Sequence, residues 1–485
     1  MHGLSAMRFA WQSASCRPAS TSTPEASLVF SETVPFNRRR ILQAGSLGLA
    51  GITLPKLLWA DAARRTAGTP GSELARADRC ILVFLDGGPS HLDMWDMKPE
   101  APAEIRGEFQ SIETSLAGVR FSEHLPKLAR HMHRSALVRS AHHSVNNAHA
   151  AAVYTSLTGH DRGDATVAIG TSPQDFPAIG SITGLMRPPQ QPIVPFVSLP
   201  YITQEGRGGP PQPGFFGGVL GKAYDPLFVL KDPNAADFSI PELALHADIG
   251  TERLSRRKTL QGAIDSQFVE RVSRSVTGMD GFRERAFSLL SSEATQRAFQ
   301  LAQEPATVRD AYGRNIYGQS VLLARRLLEA GTRVVSIAWA PDANATWDTH
   351  GGNFKRLKDE LLPQLDMAVS SLLDDLVERG MFERTLVVVM GEFGRSPKIN
   401  AAAGRDHWNF CYSLMLAGGG IKPGFVYGAS DKTGALPADK PVIPAEIIAT
   451  IYDALGIPHT LEFRDAVDRP YVLVPWGEPL GELFA

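Results

Sequence analysis

The sequence predicts an α/β fold: a mostly parallel sheet sandwiched by helices, with a helical insertion. Three observations carry this expectation. Short, β-branched, wholly apolar runs recur, as buried parallel strands do: Cys80 to Leu85, Arg333 to Ala338 and Thr385 to Met390. Helical periodicity separates them, and strand–helix–strand alternation is the mark of a parallel sheet. Each run then ends in a polar, glycine-containing motif, and open α/β sheets hold ligands outside the carboxyl ends of their strands.

Taken in order, residues 1–62 read as a leader rather than fold. Residues 1–37 are rich in Ser, Thr, Ala and Pro and are expected to be disordered. Asn37-Arg38-Arg39-Arg40-Ile41-Leu42-Gln43 is close to a twin-arginine signal. The mildly apolar stretch from Ala44 to Trp59 is interrupted by Gly45, Gly48, Gly51, Pro55 and Lys56, too broken for a comfortable membrane span. Ala60-Asp61-Ala62 offers a small-x-small cleavage site. The expectation is export by the twin-arginine route to the periplasm or cell surface, with no integral span in the mature protein. The bland alternative is a basic, Ala/Gly-rich helix that stays on the chain. Residues 63–79 read as a linker and 80–485 as one large domain.

Composition is that of a globular protein: 43% hydrophobic and 21% charged over 485 residues. A net charge of −2 gives no footprint for nucleic acid or an anionic membrane. Cys80 and Cys411 both fall in expected strands and read as small buried hydrophobes.

Within the domain, the run ending at Leu85 opens onto Asp86-Gly87-Gly88-Pro89-Ser90-His91, a carboxylate followed by a tight, ligand-approachable loop. Ala136 to Arg139 reads as a strand. After His142-His143 an Ala-rich helix is expected to end near Leu157-Thr158-Gly159. His142 and His143 read as a strand edge, His131 and His133 as the solvated face of a helix, and Asp96 and Lys98 as surface. Residues 200–223 hold many Gly and Pro with Tyr201, Phe215 and Phe216, and read as a loop over the active face. The helical insertion spans about 200–330, with Arg314 to Glu329 its best-defined helix. From Asn353 to Arg379, Phe354, Leu357, Leu361, Leu365, Val369, Leu372 and Leu376 recur at helical spacing, with Pro363 as a kink point and Gly380 as the stop. Asn409 to Leu416 reads as a strand, and Ile447 to Leu455 as a helix closed by Gly456.

Three polar motifs follow in the last third: Trp347-Asp348-Thr349-His350-Gly351-Gly352, Gly391-Glu392-Phe393-Gly394-Arg395 and Gly404-Arg405-Asp406-His407-Trp408. With Asp86, they place Asp86, Asp348, His350, Glu392 and His407 on one rim as candidate metal ligands. That mixture of carboxylate and imidazole suits a divalent ion such as Zn, Mn or Ca. Arg395 and Arg405 flank the rim and are candidate oxyanion holders. The bland reading of each is a loop residue satisfying turns, or for Glu392 a helix cap.

These motifs, with Gly87 to Asp93, Glu123-His124-Leu125-Pro126 and the Arg38-Arg39 leader, resemble an uncharacterised bacterial family, the domain-of-unknown-function family 1501. Through it the chain resembles the alkaline phosphatase and sulfatase superfamily. The resemblance implies an alkaline-phosphatase-like fold, with Asp86 as first carboxylate, Asp348 and His350 as the Asp/His pair, Glu392 as the later carboxylate and His407 as the final histidine. It departs at two places. Phe393 stands where phosphatases have a second-metal histidine. The nucleophile position, counted back from Thr158-Gly159, falls at His149. Metal ligand, general base, phosphohistidine-type nucleophile and mere helix-start residue all stay open for His149. Ser90 is an alternative nucleophile. Two functions are carried forward: an exported metal-dependent hydrolase of phosphate or sulfate esters, acting on a small-molecule or polysaccharide ester, and a non-catalytic exported binding or surface-assembly protein on the same fold.

Overall fold

The computed structural model of the chain describes residues 75–145, 148–162, 170–240, 256, 259–260, 292–465 and 467–485. The leader and much of the helical insertion lie outside these residues.

The centre is an eight-stranded sheet. Its strands are β1 (Arg79–Phe84), β2 (Ser135–Ala141), β3 (Phe196–Leu199), β4 (Leu227–Phe228), β5 (Val334–Ala338), β6 (Thr385–Met390), β7 (Tyr412–Ala417) and β8 (Phe425–Tyr427). Their order across the sheet is β8-β2-β7-β6-β1-β5-β3-β4. All neighbours run parallel except β7, which is antiparallel to both β6 and β2. The three runs that predicted the fold are the middle of the sheet, β6-β1-β5. Being covered on both faces, they can be apolar at every position.

Side chains alternate across the pleat, so each strand feeds two cores. Ile81, Val83, Val335, Ile337, Val387 and Val389 face one layer, packed under α3 (Ile316–Glu329) and α4 (Leu362–Glu378) through residues such as Leu323, Leu327, Leu365 and Leu372. Leu82, Phe84, Val334, Leu386 and Val388 face the other. There α1 (His149–Thr158), α2 (Ile179–Met186) and α5 (Pro444–Ala454) supply Val153, Leu157, Ile182, Ile448 and Ile451. Each fully buried aliphatic side chain stabilises the fold by about 1.5–3 kcal/mol.

Register fixes where chemistry can sit. Phe84 pairs with both Ala338 and Met390, so β1, β5 and β6 end level. Asp86 and Glu392 therefore emerge side by side from adjacent strand ends.

Several expectations are corrected. The long helix from 353 runs unbroken to Glu378, as expected, but carries a π turn at Leu357–Leu361 just before α4. Pro363 at the start of α4 has no N–H to bond back, so the ladder re-registers there. The strand expected from 409 begins at Tyr412 and runs antiparallel. The insertion is not purely helical, because β4 lies within it as a sheet edge. His131 is not solvated: it is 4% exposed beside a short turn at Met132–Arg134, with Nε2 3.6 Å from Asp374. Asp96 is also buried, paired with Lys98 at 2.9 Å and Arg139 at 3.5 Å.

Candidate metal centre

Asp348 is the hub of the rim. Its Oδ1 accepts from Arg395 Nη2 at 2.5 Å and lies 3.1 Å from His407 Nε2 and 3.2 Å from His350 Nε2. Its Oδ2 lies 3.8 Å from His149 Nε2. Two backbone features bring these parts together. Gly87 runs so close to Asp348 that a Cβ there would sit 2.4 Å from the Asp348 nitrogen, and Gly404 passes the His350 carbonyl even more tightly. Only glycine fits either crossing. His407 and Arg395 are opposite partners on a two-stranded ribbon, so both side chains point at Asp348 from one face.

His149 opens α1, as counting back from Gly159 predicts. Its Nδ1 is 2.7 Å from Glu392 Oε1, which also accepts the Gly87 N–H at 3.0 Å. Its Nε2 therefore points at Asp348. A carboxylate that holds one imidazole nitrogen and leaves the other for an ion is the usual support of a metal-binding histidine. His143, read as a strand edge, backs this from behind: it is buried, with Nε2 2.9 Å from the Glu392 carbonyl.

Ligand atoms of His149, Asp348 and His407 all lie within 4.8 Å of one another. Two ligands of a tetrahedral ion, each about 2.1 Å from it, are about 3.4 Å apart. The separations to Asp348, 3.1 Å from Oδ1 to His407 and 3.8 Å from Oδ2 to His149, lie near that figure. Three buried atoms on the rim also have no hydrogen-bond partner among the described residues: His149 Nε2, Asp86 Oδ1 and Glu392 Oε2. Buried polar atoms are normally satisfied, so three such atoms together on the rim suit a bound cation. The donor set fits a divalent ion.

The charges agree. Burial opposes a charge on His149, yet the Asp348 and Glu392 carboxylates overcome it and hold its imidazole up at about 9. Burial would also raise Asp348, but His149, His407 and Arg395 together hold it far below the usual carboxylate range. Burial, with Glu392 beside it, pushes the Asp86 carboxyl well above its ordinary value. A metal held by the trio would take the place of the His149 proton.

The other candidate residues separate. His350 sits at the mouth, its side chain 47% exposed, with Nδ1 3.1 Å from Asp406. Arg395 is fully buried; beyond Asp348, its Nε donates to the Gly88 carbonyl and its Nη1 to the Arg405 carbonyl. Arg405 is not brought to the cluster. It is fully buried and bonded to Asp93 through Nε at 2.8 Å and Nη2 at 2.9 Å, and it also donates to the Ser396 and Ile105 carbonyls. Ser90 donates to the same Asp93 at 2.6 Å. Phe393, fully buried, puts its ring centroid 4.5 Å from that of His407. Two residues escaped the sequence reading. Thr203 Oγ lies 3.2 Å from Asp86 Oδ2, and Glu205 faces the start of α1. Both come from the Gly/Pro-rich loop, whose composition gives no periodic signal.

Fold and rim together define an α/β protein with a candidate divalent-metal centre at the carboxyl ends of its central strands. It belongs to the family described as proteins of unknown function, DUF1501, whose model matches residues 77–484. No curated protein matches the sequence. Similar solved structures include the alkaline phosphatase from the Antarctic bacterium TAB5, at 12% identity and a TM-score of 0.35, covering 78% of this chain and 98% of that one. The PsFucS1 sulfatase from Pseudoalteromonas sp. aligns at 10% identity and a TM-score of 0.36, over 82% of this chain and 71% of that one. The lipoteichoic acid synthase LtaP from Listeria monocytogenes aligns at 9% identity and a TM-score of 0.34, over 79% and 73%. Likenesses this distant carry no argument about chemistry. Among the described residues, no helix is long and apolar enough to cross a membrane.

Proposed function

We propose that this protein is an exported, metal-dependent hydrolase of phosphate or sulfate esters. One observation carries the metal: the trio His149, Asp348 and His407, with the unpartnered His149 Nε2 aimed between carboxylate and imidazole. The ester class rests on the motifs that resemble the phosphatase and sulfatase superfamily. Bound there, a divalent ion supplies Lewis acidity toward a phosphoryl or sulfuryl oxygen. The chain does the rest. Glu392 orients His149, Arg395 fixes Asp348, and exposed His350 lines the way in. The export part rests on the leader alone. Changing Arg38 and Arg39 to Lys is expected to leave the protein in the cytoplasm with its leader attached; normal export would refute it.

A specific observation favours the second reading, a binding protein. Both candidate arginines are buried in internal hydrogen bonds, and α1 starts with His149 in place of a hydroxyl or thiol. The deciding experiment has two arms. Elemental analysis of the purified protein is expected to find about one divalent ion per chain, lowered by His407→Ala. Aryl phosphate and sulfate monoesters and diesters are expected to be hydrolysed in a metal-dependent way, with Asp348→Ala inactive. Metal without turnover on any ester selects the binding protein; no metal and no thermal shift with Zn, Mn or Ca refutes the metal site and the hydrolase.

A further inference from the structure

The loop from Thr203 to Gln212 is a built hairpin. Gln204 bridges Pro211, the Gln212 N–H bonds the Thr203 carbonyl at 2.8 Å, and the Glu205 N–H bonds the Pro210 carbonyl at 2.9 Å. Gln204 also bridges Asp342, which ties the hairpin to the segment leading to Asp348. One arm sets Thr203 against Asp86. The other arm holds Glu205: Gln212, 1% exposed, donates from Nε2 to Glu205 Oε2 at 3.1 Å. Glu205 is half-buried and faces the Ala150 N–H, next to His149.

We infer that Glu205 is a catalytic residue of the proposed hydrolysis, the carboxylate that takes the proton from an attacking water. This rests on the reading of the site as an ester hydrolase. The argument is one of elimination by geometry. His149 has Nδ1 on Glu392, and Nε2 is the nitrogen the proposed metal takes, so neither is left for a water. Asp86 and Glu392 are sealed, each 0% exposed. Asp348 is bound by Arg395 and faces His407, and His350 has Nε2 on Asp348 and Nδ1 on Asp406. The first residues of α1 are His149, Ala150, Ala151 and Ala152, with no hydroxyl or thiol among them. Glu205 is the carboxylate at this helix start that solvent also reaches. In the step, the water oxygen bonds to phosphorus or sulfur as the bond to the ester oxygen breaks. The electron pair leaves with the alcohol, which takes a proton from solvent, and the water proton goes to Glu205. No covalent enzyme intermediate forms.

Glu205→Gln tests this in the metal-loaded protein. Metal content and melting temperature are expected to match the wild type, while turnover falls by about 10²–10⁴-fold. Formate is expected to restore part of the turnover to Glu205→Ala, which a merely structural role would not allow. Inorganic phosphate is expected to bind Glu205→Gln more tightly than wild type, because a negative charge beside the proposed metal has gone. Wild-type turnover is expected to transfer nothing to added methanol. Turnover within about threefold of wild type in Glu205→Gln, unchanged phosphate affinity, or a trapped phosphoryl-enzyme would overturn the role of Glu205 alone. A wild-type protein that binds metal and turns over no ester would overturn the hydrolase reading and this role with it.

Discussion

Two buried polar centres lie a few residues apart in sequence and differ in one respect. In the first, Arg405 and Asp93 face each other through two bonds, and Asp93 Oδ2 also accepts from Ser90 and from Asn353 Nδ2 at 2.8 Å. Every partner is present, and the centre is closed. In the second, His149, Asp86 and Glu392 each keep an unpartnered atom among the described residues. A satisfied network rigidifies a fold, whereas a partly satisfied one is costly unless something completes it. The motif that supplied both, Gly404 to Trp408, thus serves two ends: Arg405 for architecture and His407 for the rim.

The comparison predicts opposite behaviour on mutation. The largest effect is expected in the closed centre. Arg405→Ala strands Asp93 without its counter-charge in a site with no exposure, and losing one partner of a buried pair costs about 3–5 kcal/mol. Thermal unfolding checks this, and a melting temperature near the wild type would break the distinction. The open centre is expected to respond to ions instead. A divalent ion at a hundredfold excess over its dissociation constant adds about 2.7 kcal/mol to wild-type stability. Asp348→Asn is expected to lose that thermal shift, while Ser90→Ala keeps it; a shift in both would move the ion elsewhere.

His131 is an intermediate case, a buried imidazole with a partial partner. Burial lowers it to about 4, offset in part by Asp374 and reinforced by Arg134, Arg130 and His133. A folded value below the unfolded one means stability is full above pH 6.5 and falls as pH drops toward 4. The loss is expected to develop as pH falls from 7 to 5. His131→Gln is expected to flatten that limb in denaturant titrations, and an unchanged slope would remove His131 as its source. The smallest effect is expected from Ser90→Ala, which costs about 1.5 kcal/mol by removing one bond to a charged acceptor. Loss of metal with it would mean the two centres are not separate.

What the sequence disclosed follows from range. β1, β5 and β6 are contiguous apolar runs, so their existence is a local property, and so is the residue that follows each. Asp86 and Glu392 could be placed on one rim because the strand-end rule converts local pattern into position, whereas Asp348, well past the end of β5, and His407, on a separate ribbon, came from their motifs. Pairings between distant segments were not legible. Arg405 looked like an oxyanion holder because its partner, Asp93, lies 312 residues away. Asp96 and His131 looked solvated because their covering elements come later in the chain. The hairpin bearing Glu205 has neither period 2 nor period 3.6, so composition marked it only as a loop. The π turn was half visible: Pro363 announced a break, but not that the helix would absorb it by widening one turn.

Arg395 has a consequence for recognition. Its guanidinium ties the Gly88 carbonyl, the Arg405 carbonyl and the Asp348 carboxylate into one block, so three loops from distant parts of the chain are fastened together before any ion arrives. A ligand set held that firmly cannot close in or spread around its guest. Discrimination among ions should then be by size, since a frame that does not yield sorts its visitors the way a gauge sorts shafts.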